Sequence, residues 1–188
     1  KKVFVVCNSE LPYQYKFLYG MNKIIKSLDC IDGNDKEKYI SIFVDCADLK
    51  RIRINYESIL NKSKVLVNID HHLSNTYFGD INIVFPEKSA TSEIIYVFLE
   101  KYFEDKIDKD IAESLYTGIL TDTGKFQYSN TTKEVHRVIS CLLEFDINPS
   151  KIYSNIYENE PLNRFKLLEA VFRRTRVFHL ARLLLSLR

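Results

Sequence analysis

The sequence predicts an α/β fold: a largely parallel β-sheet flanked by helices, followed by a helical C-terminal half. Three observations predict it. The apolar runs Ile40-Ser41-Ile42-Phe43-Val44 and Val65-Leu66-Val67-Asn68-Ile69 each end in acidic or imidazole side chains. A segment of helical length separates them, which calls for parallel pairing and a right-handed crossover. From Ser89 onward the apolar residues recur at helical spacing rather than alternating.

In chain order, Lys2-Val3-Phe4-Val5-Val6-Cys7 reads as a first strand. Asn8 to Gly20 reads as a turn and short helix, with Pro12 near its start and Gly20 as its stop. Residues 28–38 are polar and charged and read as a surface loop. Ile40–Val44 is the next strand and delivers Asp45-Cys46-Ala47-Asp48. After Lys50–Arg53 comes a helix near Tyr56–Leu60, and strand Val65–Ile69 then leads into Asp70-His71-His72-Leu73-Ser74-Asn75. Both polar endings fall on one edge of a parallel sheet, where α/β proteins bind ligands.

Ile81–Phe85 is a shorter strand, ended by Pro86. Ile94, Ile95, Val97, Phe98 and Tyr102 mark the core face of the helix that follows. Asp108 caps a helix through Ile111, Leu115, Gly118 and Ile119, with Gly124 as its stop. That helix ends at Asp122, where the helix dipole disfavours a negative charge. A bound cation would account for this carboxylate, and so would simple solvent exposure. Thr131 and Glu134 form a capping-box pattern for a helix to about Glu144, with His136 as a surface or packing residue. Asn148-Pro149 starts another helix, and Pro161 marks the start of the last. Residues 173–188 hold five arginines and no acid. They read as a linker or as the start of a further domain near Val177.

The 188 residues suffice for one packed domain, and 46% apolar with 28% charged residues is ordinary for a globular chain. A formal charge of +2 excludes nucleic-acid binding by bulk electrostatics, so phosphate recognition must be local. Cys7, Cys30, Cys46 and Cys141 form no CxxC pair, which fits reduced thiols in a cytoplasmic protein. No apolar stretch reaches the ~18 residues a membrane span needs. In that compartment, Asn61-Lys62-Ser63 and Asn130-Thr131-Thr132 are chance matches to the glycosylation pattern.

Asp45, His71 and Asp122 together offer two carboxylates and an imidazole. That donor set suits Mn²⁺ and, with added water, Mg²⁺ or Fe²⁺. No thiolate joins them, so a structural zinc site is not indicated. His72 could contact a phosphate oxygen or a leaving group. Asp70 is better suited to fixing an imidazole from behind.

Asp70-His71-His72 with Asp45-Cys46-Ala47-Asp48, Ser89-Ala90-Thr91-Ser92-Glu93 and Gly118-Ile119-Leu120-Thr121-Asp122-Thr123-Gly124 resembles the DHH phosphoesterases. Within them it looks like the branch of bacterial oligoribonucleases that also dephosphorylate 3′-phosphoadenosine 5′-phosphate (pAp). The resemblance runs from Lys2 to about Glu169. It implies a two-Mn²⁺ phosphodiesterase or phosphatase, with short RNA or pAp as partner and homodimerisation possible. Asp45 falls on the metal-bridging aspartate, His71 and Asp122 on further metal ligands, and His72 on the histidine that approaches the phosphate. Asn75, Thr91 and Arg51 match positions near the substrate. A helix-start hydroxyl for Thr91 and a solvated charge for Arg51 are the simpler readings.

The resemblance also sets limits. The family's strand leading into a His and two Asp followed by Gly-Ser has no counterpart here, nor has its Gly-Gly-His-type substrate loop. Residues 1–170 therefore read as a partial catalytic domain and 171–188 as a linker or the start of a substrate domain. From such a stretch, weak metal binding and little turnover are expected. Two alternatives stay open. One is cleavage of cyclic or linear dinucleotides or of pyrophosphate within the same family. The other is a catalytically silent module of the same fold, which would show no Mn²⁺-dependent rise in thermal stability.

Overall fold

The computed structural model describes residues 2–7, 9–27, 39–52 and 56–174. Its sheet has three strands, β1 (Tyr39–Val44), β2 (Ser63–Asp70) and β3 (Ile81–Val84), in the order β1-β2-β3. All pairings are parallel: Val44 lies opposite Ile69, and Asp70 opposite Val84. Helix α1 (Tyr56–Lys62) connects β1 to β2, as the crossover argument requires. The carboxyl ends of β1 and β2 consequently share one edge.

The β2–β3 connection has no helix. Residues 71–80 leave the carboxyl end of β2 and return to the amino end of β3. Asp80 Oδ2 anchors the return by accepting from the Leu66 amide at 2.8 Å.

Helices α2 (Thr91–Tyr102), α3 (Lys109–Asp122) and α4 (Lys133–Leu143) hold most of the core, joined by α5 (Pro149–Tyr153) and a π-helical turn, Ser154–Glu158. Ile119, Val135, Val138, Leu142 and Ile152 are fully buried there. Gly118 permits the α2–α3 crossing, because a Cβ at that position would fall 2.9 Å from Ser92 Cβ. Helix α6 (Leu162–Arg174) follows Pro161 and is exposed along its length. No helix among the described residues is long and apolar enough to cross a membrane.

The caps largely follow the sequence. Asp108 accepts from the Ile111 amide, and Asn148 accepts from the Lys151 amide ahead of Pro149. Gly124, at φ +55°, closes α3 with paired bonds from Gly124 N to Thr121 O and from Lys125 N to Leu120 O. That pair is the Schellman arrangement.

Four expectations need correction. Lys2–Cys7 is not a sheet strand: Val6 makes a single parallel bridge to Ile25, and Val3, Phe4 and Val5 are exposed. A strand exists only where a partner completes its ladder, and among the described residues this segment finds one bridge. Between Asn8 and Gly20 the ordered element is a 3₁₀ turn, Tyr13–Tyr15; Gly20 starts a second turn, Met21–Lys23, rather than stopping a helix. Phe98 and Tyr102 are 48% and 59% exposed and stack on each other at 5.3 Å, while Tyr96 takes the buried place. The α4 cap is Thr132, whose hydroxyl accepts from the Val135 amide; Thr131 Oγ1 is buried without a partner. The loop expected over residues 28–38 and the arginine-rich tail beyond Arg174 lie outside the described residues.

Candidate functional site

Three elements converge at the carboxyl edge of the sheet. The first is the end of β1. The Asp45 amide still donates to Ile69 O at 2.9 Å, but its backbone turns left-handed at φ +58°. Aspartate tolerates that region better than most residues, and such strain concentrates where a side chain must be aimed. The turn lifts the Asp45 carboxylate to the edge, half in solvent.

The second element is the loop after β2. Asn68 and Asp70 point to the same face and are fully buried. Asn75 folds back over them, and its side-chain amide donates to Asp70 Oδ2 at 2.6 Å, Asn68 Oδ1 at 2.8 Å and Cys46 O at 3.3 Å. Its own Oδ1 accepts from the Tyr77 amide at 2.7 Å. The loop is thereby held against the strand ends.

Both imidazoles are oriented from behind. His71 Nδ1 lies 3.3 Å from Lys88 O. A carbonyl only accepts, so Nδ1 carries the proton and Nε2 presents its lone pair. His72 Nδ1 lies 2.7 Å from Asp70 Oδ1, which likewise leaves Nε2 of His72 free. Burial pushes the Asp70 carboxyl up, but its bonds from His72 and Asn75 outweigh this and hold it below the ordinary value. Asp70 is thus a buried carboxylate that fixes a ring.

The third element is the C-terminus of α3. His71 Nε2 sits between Asp45 Oδ1 at 3.5 Å and Asp122 Oδ2 at 3.7 Å. Burial pushes the Asp122 carboxyl up, the Asp45 charge adds to this, and the two imidazoles oppose it. Asp45, His71 and His72 also offer donor atoms within 4.8 Å of one another.

The donor set itself tests whether a hard divalent ion fits. Two carboxylates and one imidazole lone pair face a common point. The nearby Cys46 thiol is kept protonated by burial and is turned to Asp48 O at 3.4 Å. The set is therefore oxygen and nitrogen only, which suits Mn²⁺ or Mg²⁺ more than a thiolate-loving ion.

The weaker candidates divide. Thr91 is buried at the start of α2 and donates its hydroxyl to Asp45 Oδ1 at 2.9 Å. Asn75 is buried and its amide is taken up by the protein's own groups, so neither offers a free polar atom to a substrate. Arg51 lies exposed on the Leu49–Arg51 turn beyond β1.

Two residues that build the site were not among the sequence's candidate site residues. Asn130 donates to Ser89 O and to Asp122 O, tying the start of α2 to the end of α3. Glu93, fully buried, accepts from the Ser89 amide, the Ser89 hydroxyl and the Lys88 ammonium. Glutamate at a helix third position is a legible capping signal. Asn130 gave no such signal.

The sequence matches the family model for the DHH family, N-terminal domain, over residues 10–119. That span holds Asp45, Asp70, His71, His72, Asn75 and Thr91, and Asp122 lies just past it. The chain is 32% identical over 174 residues to a Bacillus subtilis protein, the bifunctional oligoribonuclease and PAP phosphatase NrnA, covering 92% of this chain and 51% of that protein. It is 35% identical over 128 residues to the protein of that name from Thermus thermophilus, covering 64% and 36%. Its fold is similar to the crystal structure of an exopolyphosphatase-related protein from Bacteroides fragilis, with a TM-score of 0.83 and 30% identity, covering 93% and 52%. The chain thus spans about half, or less, of the length of these relatives. A match over more than half of the sequence, taking in the strands that deliver the acids and imidazoles, shows that the chain belongs to the DHH family.

Proposed function

We propose that this chain contributes part of the catalytic domain of a metal-dependent phosphoesterase that hydrolyses short RNA oligonucleotides, pAp, or both. One observation carries the reading: the His71 Nε2 lone pair lies between Asp45 Oδ1 at 3.5 Å and Asp122 Oδ2 at 3.7 Å. Two carboxylates so placed repel each other unless a cation lies among them. The names of the Bacillus and Thermus relatives support the substrate class.

Asp45, His71 and Asp122 would hold the metal, with Mn²⁺ the leading candidate, Mg²⁺ possible, and two ions in a complete site. Bound divalent ions supply a water acidic enough to ionise at neutral pH and positive charge for phosphate oxygens. The protein's own contribution is orientation. Lys88 O keeps His71 in the tautomer whose Nε2 can ligate. Asp70 orients His72 in the same way, so that His72 Nε2 is free to hold or give a proton at a phosphate or leaving-group oxygen.

Residues 1–170 make up a partial catalytic domain in this reading, and 171–188 a linker or the start of a substrate-binding one. The free, unpaired Cys7, Cys46 and Cys141 favour a cytoplasmic location. The test is Mn²⁺-dependent turnover of pAp and of a diribonucleotide by the full-length protein, with Asp122→Ala beside it. The variant should lose at least about tenfold in rate. Unchanged Mn²⁺-dependent turnover would remove Asp122 from the site. An absence of any Mn²⁺-dependent rise in thermal stability would favour a silent module.

A further inference from the structure

Just past Asp122 the chain adopts a rare conformation. Gly124, Lys125 and Phe126 all have positive φ, at +55°, +65° and +63°. Only the first is a glycine, so two side chains bear the strain of a left-handed turn. Packing accounts for one of them. The Phe126 ring lies edge-on to Tyr116 at 6.2 Å and beside His136 at 5.9 Å, against the core.

Lys125 has no such reason. Its ammonium lies 4.2 Å from the centroid of the Tyr157 ring and 5.5 Å from that of Tyr153, and those two rings are 5.1 Å apart. Tyr157 belongs to the π-helical turn Ser154–Glu158, a local widening that often accompanies function. The Tyr128 ring lies directly on Gly124, where a Cβ would fall 2.4 Å from a ring carbon. Three tyrosines and a lysine therefore gather just past the end of α3 that presents Asp122.

Tyr157 packs against the core, but the other two rings reach the surface. Tyr128 is 61% and Tyr153 36% exposed. Exposed phenol rings beside an ammonium match an unpaired nucleobase joined to a phosphate: a ring can take the base by stacking, and the cation takes the anion.

We propose that Tyr128, Tyr153 and Lys125 form a nucleobase-binding subsite adjoining the Asp45–His71–Asp122 centre. It deepens the phosphoesterase reading and rests on it. Stacking on tyrosine accepts any base, so the subsite selects nucleotides over inorganic phosphates without selecting sequence. Inorganic pyrophosphate can meet the ammonium but gains no stacking from the rings.

The test compares binding of AMP and ribose 5-phosphate to the full-length protein with Mn²⁺ present, by calorimetry, while electron paramagnetic resonance follows Mn²⁺ on the same samples. AMP should bind about tenfold or more tightly than ribose 5-phosphate. Tyr128→Ala should abolish that preference without changing ribose 5-phosphate binding, and Tyr128→Phe should keep it. Tyr153→Ala provides an independent second variant. No preference for AMP in the wild type, or a preference that survives both alanine variants, overturns the subsite. If Mn²⁺ binds and the preference is absent, the subsite fails and the metal-centre reading stands. If the preference is present without Mn²⁺ binding, the reverse holds.

Discussion

Thr91 Oγ1 donates to Asp45 Oδ1 at 2.9 Å, joining the first turn of α2 to a left-handed residue at the end of β1. A buried hydroxyl thus takes up one lone pair of the carboxylate and fixes the direction of the others. Thr91→Val keeps the shape and removes that bond. It should lower Mn²⁺ affinity about tenfold, as loss of a supporting contact behind a ligand does. The global cost should be only about 1 kcal/mol. Mn²⁺ titration by electron paramagnetic resonance, paired with urea unfolding, checks both; unaltered affinity would show that Asp45 does not depend on Thr91.

Gly118 faces Ser92 where α3 crosses α2. An added Cβ would lie 2.0 Å from Ser92 Oγ and 2.9 Å from its Cβ, so rotating the hydroxyl away is not enough. Gly118→Ala should destabilise by about 1–3 kcal/mol despite the better helix propensity of alanine. Adding Ser92→Gly should recover part of the loss. Denaturant midpoints for the single and double variants measure this, and a stabilised Gly118→Ala would contradict the crossing.

Arg137 on α4 grips Glu100 on α2 at 2.9 and 3.2 Å, and Tyr96 donates to the same carboxylate at 3.0 Å. The Arg137 bonds, opposed by burial and helped by Tyr96, hold the Glu100 carboxyl below its ordinary value of 4.5. A depressed folded-state value means stability that is present above pH 4.5 and is lost as pH falls toward the folded value. Glu100→Gln should therefore cost about 1 kcal/mol or less at pH 7, the pair being partly exposed, and less still at pH 3. Urea unfolding at the two pH values gives the comparison. An equal cost at both would show that the ion pair contributes nothing.

The start of α4 separates two adjacent threonines. Thr132→Ala removes the bond to the Val135 amide and should cost about 1 kcal/mol. Thr131→Ala removes a buried hydroxyl that has no partner and should be neutral or stabilising. In thermal melts Thr132→Ala should fall below the wild type and Thr131→Ala at or above it; the reverse order would place the cap at Thr131.

Much of this arrangement was legible in the residues. The apolar runs ending in Asp45 and Asp70 marked β1 and β2, and the helix-length interval between them required the parallel pairing that is observed. Asp108, Asn148 and Gly124 marked helix ends by chemistry that acts within a few residues. Such signals are local, so a single sequence carries them.

What the sequence could not hold was any outcome decided between distant segments. Lys2–Cys7 has the composition of a strand, but its ladder depends on a partner elsewhere, and among the described residues only Ile25 answers. Phe98 and Tyr102 keep helical spacing with the core residues, yet which arc of α2 is covered depends on how α3 and α4 pack. Asn130 reads as an ordinary loop residue until the fold brings Ser89 O and Asp122 O within its reach. Sequence alone determined which groups were available and which sheet edge would present them. Tertiary structure alone set the backbone turn at Asp45, the clamp by Asn75 and the distances around His71, because each depends on contacts between residues far apart in the chain.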